Sequence, residues 1–152
     1  MRKSYKPEAR VAAISLIFPT ELCWAADFIP FNWEMYASLL ASHSKVIDLS
    51  NTGAAPVPRC SFINALKGAS IMKILPSPDV ILSSSAFCEG IGHMFGELKN
   101  TYEKEHFHID IPSYYSESAL KNTCIQLCNL FHAICDINKI EKSLRLQKLK
   151  EA

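Results

Sequence analysis

The chain has 152 residues, 49% of them hydrophobic and 20% charged, and a formal net charge of +1. That is enough for one α/β domain with a sizeable core, and too apolar for a disordered chain. Without a basic stripe, neither nucleic acid nor an anionic membrane surface is an expected partner, and no apolar run approaches the ~18 residues of a membrane span.

The N-terminus imitates a secretory leader, with Arg2, Lys3, Lys6 and Arg10 ahead of the apolar run Val11–Phe18 and the small pair Ala25 and Ala26. Pro19 and Glu21 interrupt that run and Asp27 follows the pair. A buried strand leading into a helix explains the same residues. The reading is therefore a strand over Val11–Phe18, then a short helix over Thr20–Asp27 with Thr20 as N-cap. Phe28–Trp33 is a second strand, which Pro30 restricts to a strand end or a sheet edge. Lys45–Leu49, short and β-branched, is a third. Turn formers cluster from Ser50 to Arg59.

Helical spacing begins near Cys60, through Phe62, Ile63, Leu66 and Ala69 to Leu75, and Pro76 and Pro78 end it. Asp79–Leu82 reads as a compact apolar strand running into Ser83, Ser84 and Ser85, and a helix follows Cys88 with Ile91, Met94, Phe95 and Leu98. Phe107–Ile111 is a last strand, closed by Pro112. Helices from about Glu117 to Cys135 and from about Asn138 onward complete the chain. Strands alternating with helices imply βαβ units and a mostly parallel sheet. Right-handed crossovers narrow this to a three-layer Rossmann-like or flavodoxin-like domain with a C-terminal helical extension. The expected division is 1–136 for the α/β domain and 137–152 for the helix leaving it.

The six cysteines contain no CxxC pair and lack the spacing of a disulfide scaffold, so reduced cytosolic thiols, some of them metal ligands, are the simpler reading. Cys60 and Cys88 each stand where a loop or strand hands over to a helix. In an open parallel sheet those handovers line the ligand crevice, and a helix N-terminus favours thiolate over thiol. Two thiolates there could ligate an iron–sulfur cluster, with Gly90 and Gly92 permitting close backbone approach. The alternative is that both are small buried residues.

Five stretches resemble, in order, the 2-hydroxyacyl-CoA dehydratase and benzoyl-CoA reductase family. Pro19–Pro30 (PTELCWAADFIP) is similar to the family's P-x-E-L-x-x-A-A-G-x-x-P opening, with Asp27 in place of glycine. Pro56–Ser61 (PVPRCS) resembles the loop that delivers the first cluster cysteine. Asp79–Gly90 (DVILSSSAFCEG) resembles the strand ending in the second, with Glu89 where aspartate is usual. His108–Pro112 (HIDIP) resembles the terminal strand, and Cys135–Leu144 (CDINKIEKSL) the helix that leaves the domain.

The resemblance implies a lyase component that helps bind a 4Fe-4S cluster through Cys60 and Cys88, together with an acyl-CoA. The third cysteine would come from a second domain or partner subunit, and an ATP-dependent activator would inject one electron. The thioester would become a ketyl radical anion that sheds its 2-hydroxyl group. Cytoplasmic location and a chain cut before its second domain are expected with it, and the rival expectation is a truncated or degenerate non-catalytic interaction module.

Other residues carry bland and functional readings side by side. Glu21 is the carboxylate inside the opening motif, for either an acid–base or a structural role. Ser84 and Ser85 could bind substrate at a strand end, or satisfy local backbone groups. His106, His108 and Asp110 alternate along one strand, which suits either a metallohydrolase site or the polar face of an edge strand. Cys124, Cys128 and Cys135 share one helix face and read as small core residues, as does Cys23. The basic amphipathic stretch from Ile137 onward is expected to pack on another domain or partner rather than a membrane.

Overall fold

The computed structural model describes residues 9–41, 51 and 60–152. The expected strand over Lys45–Leu49 and, Asn51 apart, the turn-rich stretch from Ser50 to Arg59 lie outside the described residues.

The described chain alternates as expected. Strand β1 spans Arg10–Ile14, helix α1 Thr20–Ala25, β2 Phe28–Asn32, α2 Trp33–Ala41 and α3 Ser61–Ile71. Then follow β3 Val80–Ser84, α4 Glu89–Tyr102, β4 His106–Ile109, α5 Glu117–Ile137 and α6 Lys142–Glu151. The four strands form one parallel sheet in the order β2-β1-β3-β4. Helices cover both faces, because strands buried on both sides need two covering layers. On one face Ala12, Ile14, Phe28, Val80 and Leu82 pack beneath α1, α5 and α6; on the other, Ala13 and Ile81 meet Trp33, Leu66 and Phe95 from α2, α3 and α4.

Several boundaries move for local reasons. Strand β1 ends at Ile14 rather than Phe18, because the side chain of Glu34 takes the Leu16 N–H, at 2.6 Å, and draws the chain out of the ladder. Thr20 is the first helical residue and Pro19 holds the N-cap place without a side-chain bond, so the expected Thr20 cap is corrected. Helix α3 stops well before Pro76: Lys73 takes φ 54° and Ile74 donates to the Ala69 carbonyl, closing the helix with a left-handed residue. Helix α2 was not expected. Asn32 caps it, its Oδ1 accepting from Met35 N at 2.9 Å. Pro30 sits in β2, at the edge of the described sheet, where its missing N–H is tolerated.

The 21-residue helix α5 buries side chains only in its second half, at Leu130, Phe131, Ile134 and Cys135. Its first half extends past the packed core, so Cys124 and Cys128 are exposed. They are not core residues, contrary to expectation; helical phase put them on one stripe, but among the described residues no layer covers that part of the stripe. Cys23 is fully buried, and burial pushes its thiol up to about 12.

Helix α6 folds back on α1. Lys139, at φ 55°, makes the bend, and Arg145 seals it by donating to the carbonyls of Ile140 and His132 and to the Asp136 carboxylate. Asp27 itself has φ 59°, a left-handed conformation that glycine adopts more cheaply. Its carboxylate offsets part of that cost by receiving Lys148 Nζ at 2.7 Å on both oxygens. No described helix is long and apolar enough to cross a membrane.

Candidate functional site

The connection from β1 goes to β2 on one side, and the chain then returns across β1 to reach β3 on the other. The carboxyl ends of β1 and β3 therefore flank a topological switch point, where open parallel sheets leave a crevice between oppositely directed connections. Ser15, Glu34, Ser84, Phe87, Cys88 and Ile91 line this crevice, which is closed up here and leaves no room for a water molecule. Local side-chain bonds shape its walls. Ser15 Oγ accepts from Ser84 N at 3.1 Å, and Ser84 Oγ donates to the Ile17 carbonyl at 2.5 Å. Asn32 Nδ2 reaches the Ser15 carbonyl at 3.2 Å.

Cys60 and Cys88 hold equivalent places. Cys60 is the N-cap of α3 (φ −64°, ψ 150°) and Cys88 the N-cap of α4 (φ −154°, ψ 120°). Neither thiol bonds its own helix as a cap, so both remain available as donors. Cys60 is exposed, Cys88 is half-buried, and both are free of disulfides. Helices α3 and α4 pack on each other. A Cβ on Gly90 would stand 2.9 Å from Ile63 Cδ1 and 3.5 Å from Cys88 Sγ. Glycine there spares the Ile63 side chain from shifting aside where the first turn of α4 meets the first turn of α3.

Glu34 is the residue that sequence reasoning missed. It is 4% exposed, and burial raises its carboxyl above the usual range against the opposing pull of the Leu16 N–H. The available signal was its place just after a strand, two positions beyond the capping Asn32. Glu21, by contrast, is exposed on α1 and does not line the crevice. Ser84 is buried and spends its hydroxyl on Ile17; Ser85 Oγ lies 3.1 Å from Asp110 Oδ1 and accepts from Ile111 N at 2.7 Å.

Beside the crevice, a cleft of about 370 Å³ is lined by Ser85, Glu89, Gly92, His93, His108 and Asp110. His106 and His108 both turn toward α4 and share one partner. Ser83 Oγ lies 2.7 Å from His106 Nε2 and 2.8 Å from His108 Nδ1. Burial first, then the charges of His108 and Lys99, lowers His106 to about 4. Asp110 lies beyond the end of β4, bonded to Ser85 and to Gln126, so it does not join the two histidines. Among the described residues no group of three or more histidine, cysteine or acidic side chains could hold a metal ion. The expected His106, His108 and Asp110 metal triad is therefore not assembled, because the strand ends one residue too soon. The polar edge-strand reading stands, since β4 is an edge of the described sheet.

No curated protein matches the chain at a significant level. A family model does: that of the 2-hydroxyglutaryl-CoA dehydratase D-component, over residues 15–152. The match takes in the switch-point crevice, both helix-capping cysteines and the fold back through α6. With nearly the whole chain covered, this protein belongs to the 2-hydroxyglutaryl-CoA dehydratase D-component family.

Proposed function

We propose that this chain is a component of a 2-hydroxyacyl-CoA dehydratase-type lyase in the cytoplasm, in which Cys60 and Cys88 supply two thiolate ligands to a 4Fe-4S cluster. One observation carries the reading: both cysteines are N-cap residues of adjacent helices, and Cys88 borders the switch-point crevice. Each thiol stands beside the unpaired N–H groups of a helix start, which can donate to the sulfides of a cluster. Two thiolates would supply two corners of such a cluster. A third thiolate would come from a further domain or a partner subunit, and the electron from an ATP-dependent activator.

Bound there, the cluster supplies the one-electron chemistry that loosens the 2-hydroxyl group of an acyl-CoA thioester. This chain's residues do the rest. Ile91, buried at the crevice wall, keeps water from it while Phe87 stands exposed at its edge, and Gly90 admits close backbone approach. Glu34, held by Leu16 N–H and raised in proton affinity by burial, can hold a proton beside Cys88. Ser84 and Ser85 fix the strand end against Ile17 and Ile111, and through it the position of Cys88.

Anaerobic reconstitution with iron, sulfide and the partner subunit tests this. The expected product is brown and oxygen-labile, with iron–sulfide charge-transfer absorbance that Cys60→Ala or Cys88→Ala abolishes. Colourless, iron-free protein would overturn cluster binding. It would favour instead a non-catalytic interaction module, a reading in keeping with the lack of a three-donor group among the described residues.

A further inference from the structure

The bonds around Ser83 lie outside the crevice. Ser83 is fully buried in β3, yet its hydroxyl lies within 2.8 Å of two imidazole nitrogens. The two rings open on different clefts. His106 lines one of about 490 Å³ at the flank of the sheet, with Lys99, Asn100, Glu103, Lys104 and Glu105. His108 lines the rim cleft, with Glu89, His93 and Asp110. Helix α4 is cut away to admit the His108 ring: a Cβ at Gly92 would come 2.8 Å from His108 Cε1, whereas one at Gly96 would make an ordinary 3.8 Å contact with His106 Nδ1.

A hydroxyl has one hydrogen. Between two neutral imidazoles it must donate to one and accept from the other, which ties the two tautomers together. We infer that His106, Ser83 and His108 form a proton relay from the flank of the sheet to the rim cleft, with His108 as the group that delivers or removes the proton there. In the delivering direction His106 Nδ1 takes a proton from the flank and its Nε2 proton passes to Ser83 Oγ. The Ser83 hydrogen moves to His108 Nδ1, and the His108 Nε2 proton leaves into the cleft. One proton enters and one departs; both rings end neutral, in the opposite tautomers.

The surroundings suit this. Burial, the His108 ring and the Lys99 ammonium all keep His106 uncharged at neutral pH. Glu103, Lys104 and Glu105 beside it can exchange protons with solvent. At the other end, Ser85 and Glu89 of the rim cleft directly follow Ser84 and Cys88 of the crevice. A hydroxyl group leaving as water needs a proton. That use of the relay rests on the function proposed above, whereas the relay itself does not.

Ring nitrogen-15 NMR on the full chain, without iron, tests the relay separately from cluster binding. His106 and His108 should show complementary tautomers and a coupled titration. Ser83→Ala should convert His108 to a single-site titration and erase its Nδ1 hydrogen-bond signature, and His106→Phe should shift its tautomer ratio. Unchanged His108 tautomer and midpoint in both variants would overturn the relay. Should Ser83→Ala fail to fold, independent single-site curves for the two rings of the unaltered protein would overturn it equally. In the iron-reconstituted protein, Ser83→Ala should leave iron content unchanged while shifting the pH profile of turnover.

Discussion

The two faces of the sheet are built on different terms. Beneath α1, α5 and α6 the interior is mostly apolar, from Ile14 and Leu82 to Phe131 and Ile134, with Ser84 buried at the strand end and, among the described residues, the Arg145 seal and the Asp27–Lys148 pair at its margin. Beneath α2, α3 and α4 an aromatic group is equally dry, with Trp33 5.8 Å from Phe95 and 5.2 Å from Tyr102. Toward the carboxyl rim, however, this second face buries Glu34 and Ser83 and presses the His108 ring against Gly92. Burying polar groups costs free energy unless each is bonded. The first face gives stability; the second gives up some of it to hold chemistry in place.

Four measurements would break or sharpen that contrast. The largest effect is expected on the first face: Ile134→Ala removes a fully buried side chain and should cost about 3 kcal/mol in denaturant unfolding. The coupled histidine titration should persist in that variant, and its loss would mean the faces are not separable. Gly92→Ala should cost about 2 kcal/mol, because the new methyl meets the His108 ring. It should also disturb His108 resonances, which Ile134→Ala should not.

Acid should act on the second face. His106 falls to about 4 in the fold from an ordinary value of 6.5. Above the ordinary value both folded and unfolded chains leave it neutral and nothing is lost. As pH falls from 6.5 toward 4 the unfolded chain takes up a proton that the folded chain refuses, so stability declines. After allowance for partial exposure the loss is about 1–2 kcal/mol. His106→Phe should flatten the unfolding midpoint over that window, and an unchanged slope would remove His106 as its source. The smallest effect is Asp27→Gly. Relief of the left-handed strain and loss of the Lys148 pair should nearly cancel, leaving unfolding within about 0.5 kcal/mol of the unaltered protein.

Much of the fold was legible because its signals are local. Asp79–Leu82 is short, apolar and bounded by prolines and serines, which marks a strand, and the spacing of Ile91, Met94, Phe95 and Leu98 marks a helix that the structure starts directly after Cys88. Helix α2 escaped notice because its apolar residues run on from β2 without a loop, leaving only the Asn32 cap as a boundary. Cys124 and Cys128 show the limit of periodicity: it gives the direction of a side chain, and says nothing of whether another layer lies there.

The order of residues by itself determined the alternation of strands and helices, the parallel sheet that follows from it, and the standing of Cys60 and Cys88 at helix starts. Each of these depends on neighbours within a few positions along the chain. Only the tertiary structure put Glu34 and Cys88 on one crevice, brought Ser83 to both His106 and His108, and bonded Asp110 to Ser85 instead. Strand order and the exact ends of strands decide such meetings, and both are set by packing between segments far apart in sequence.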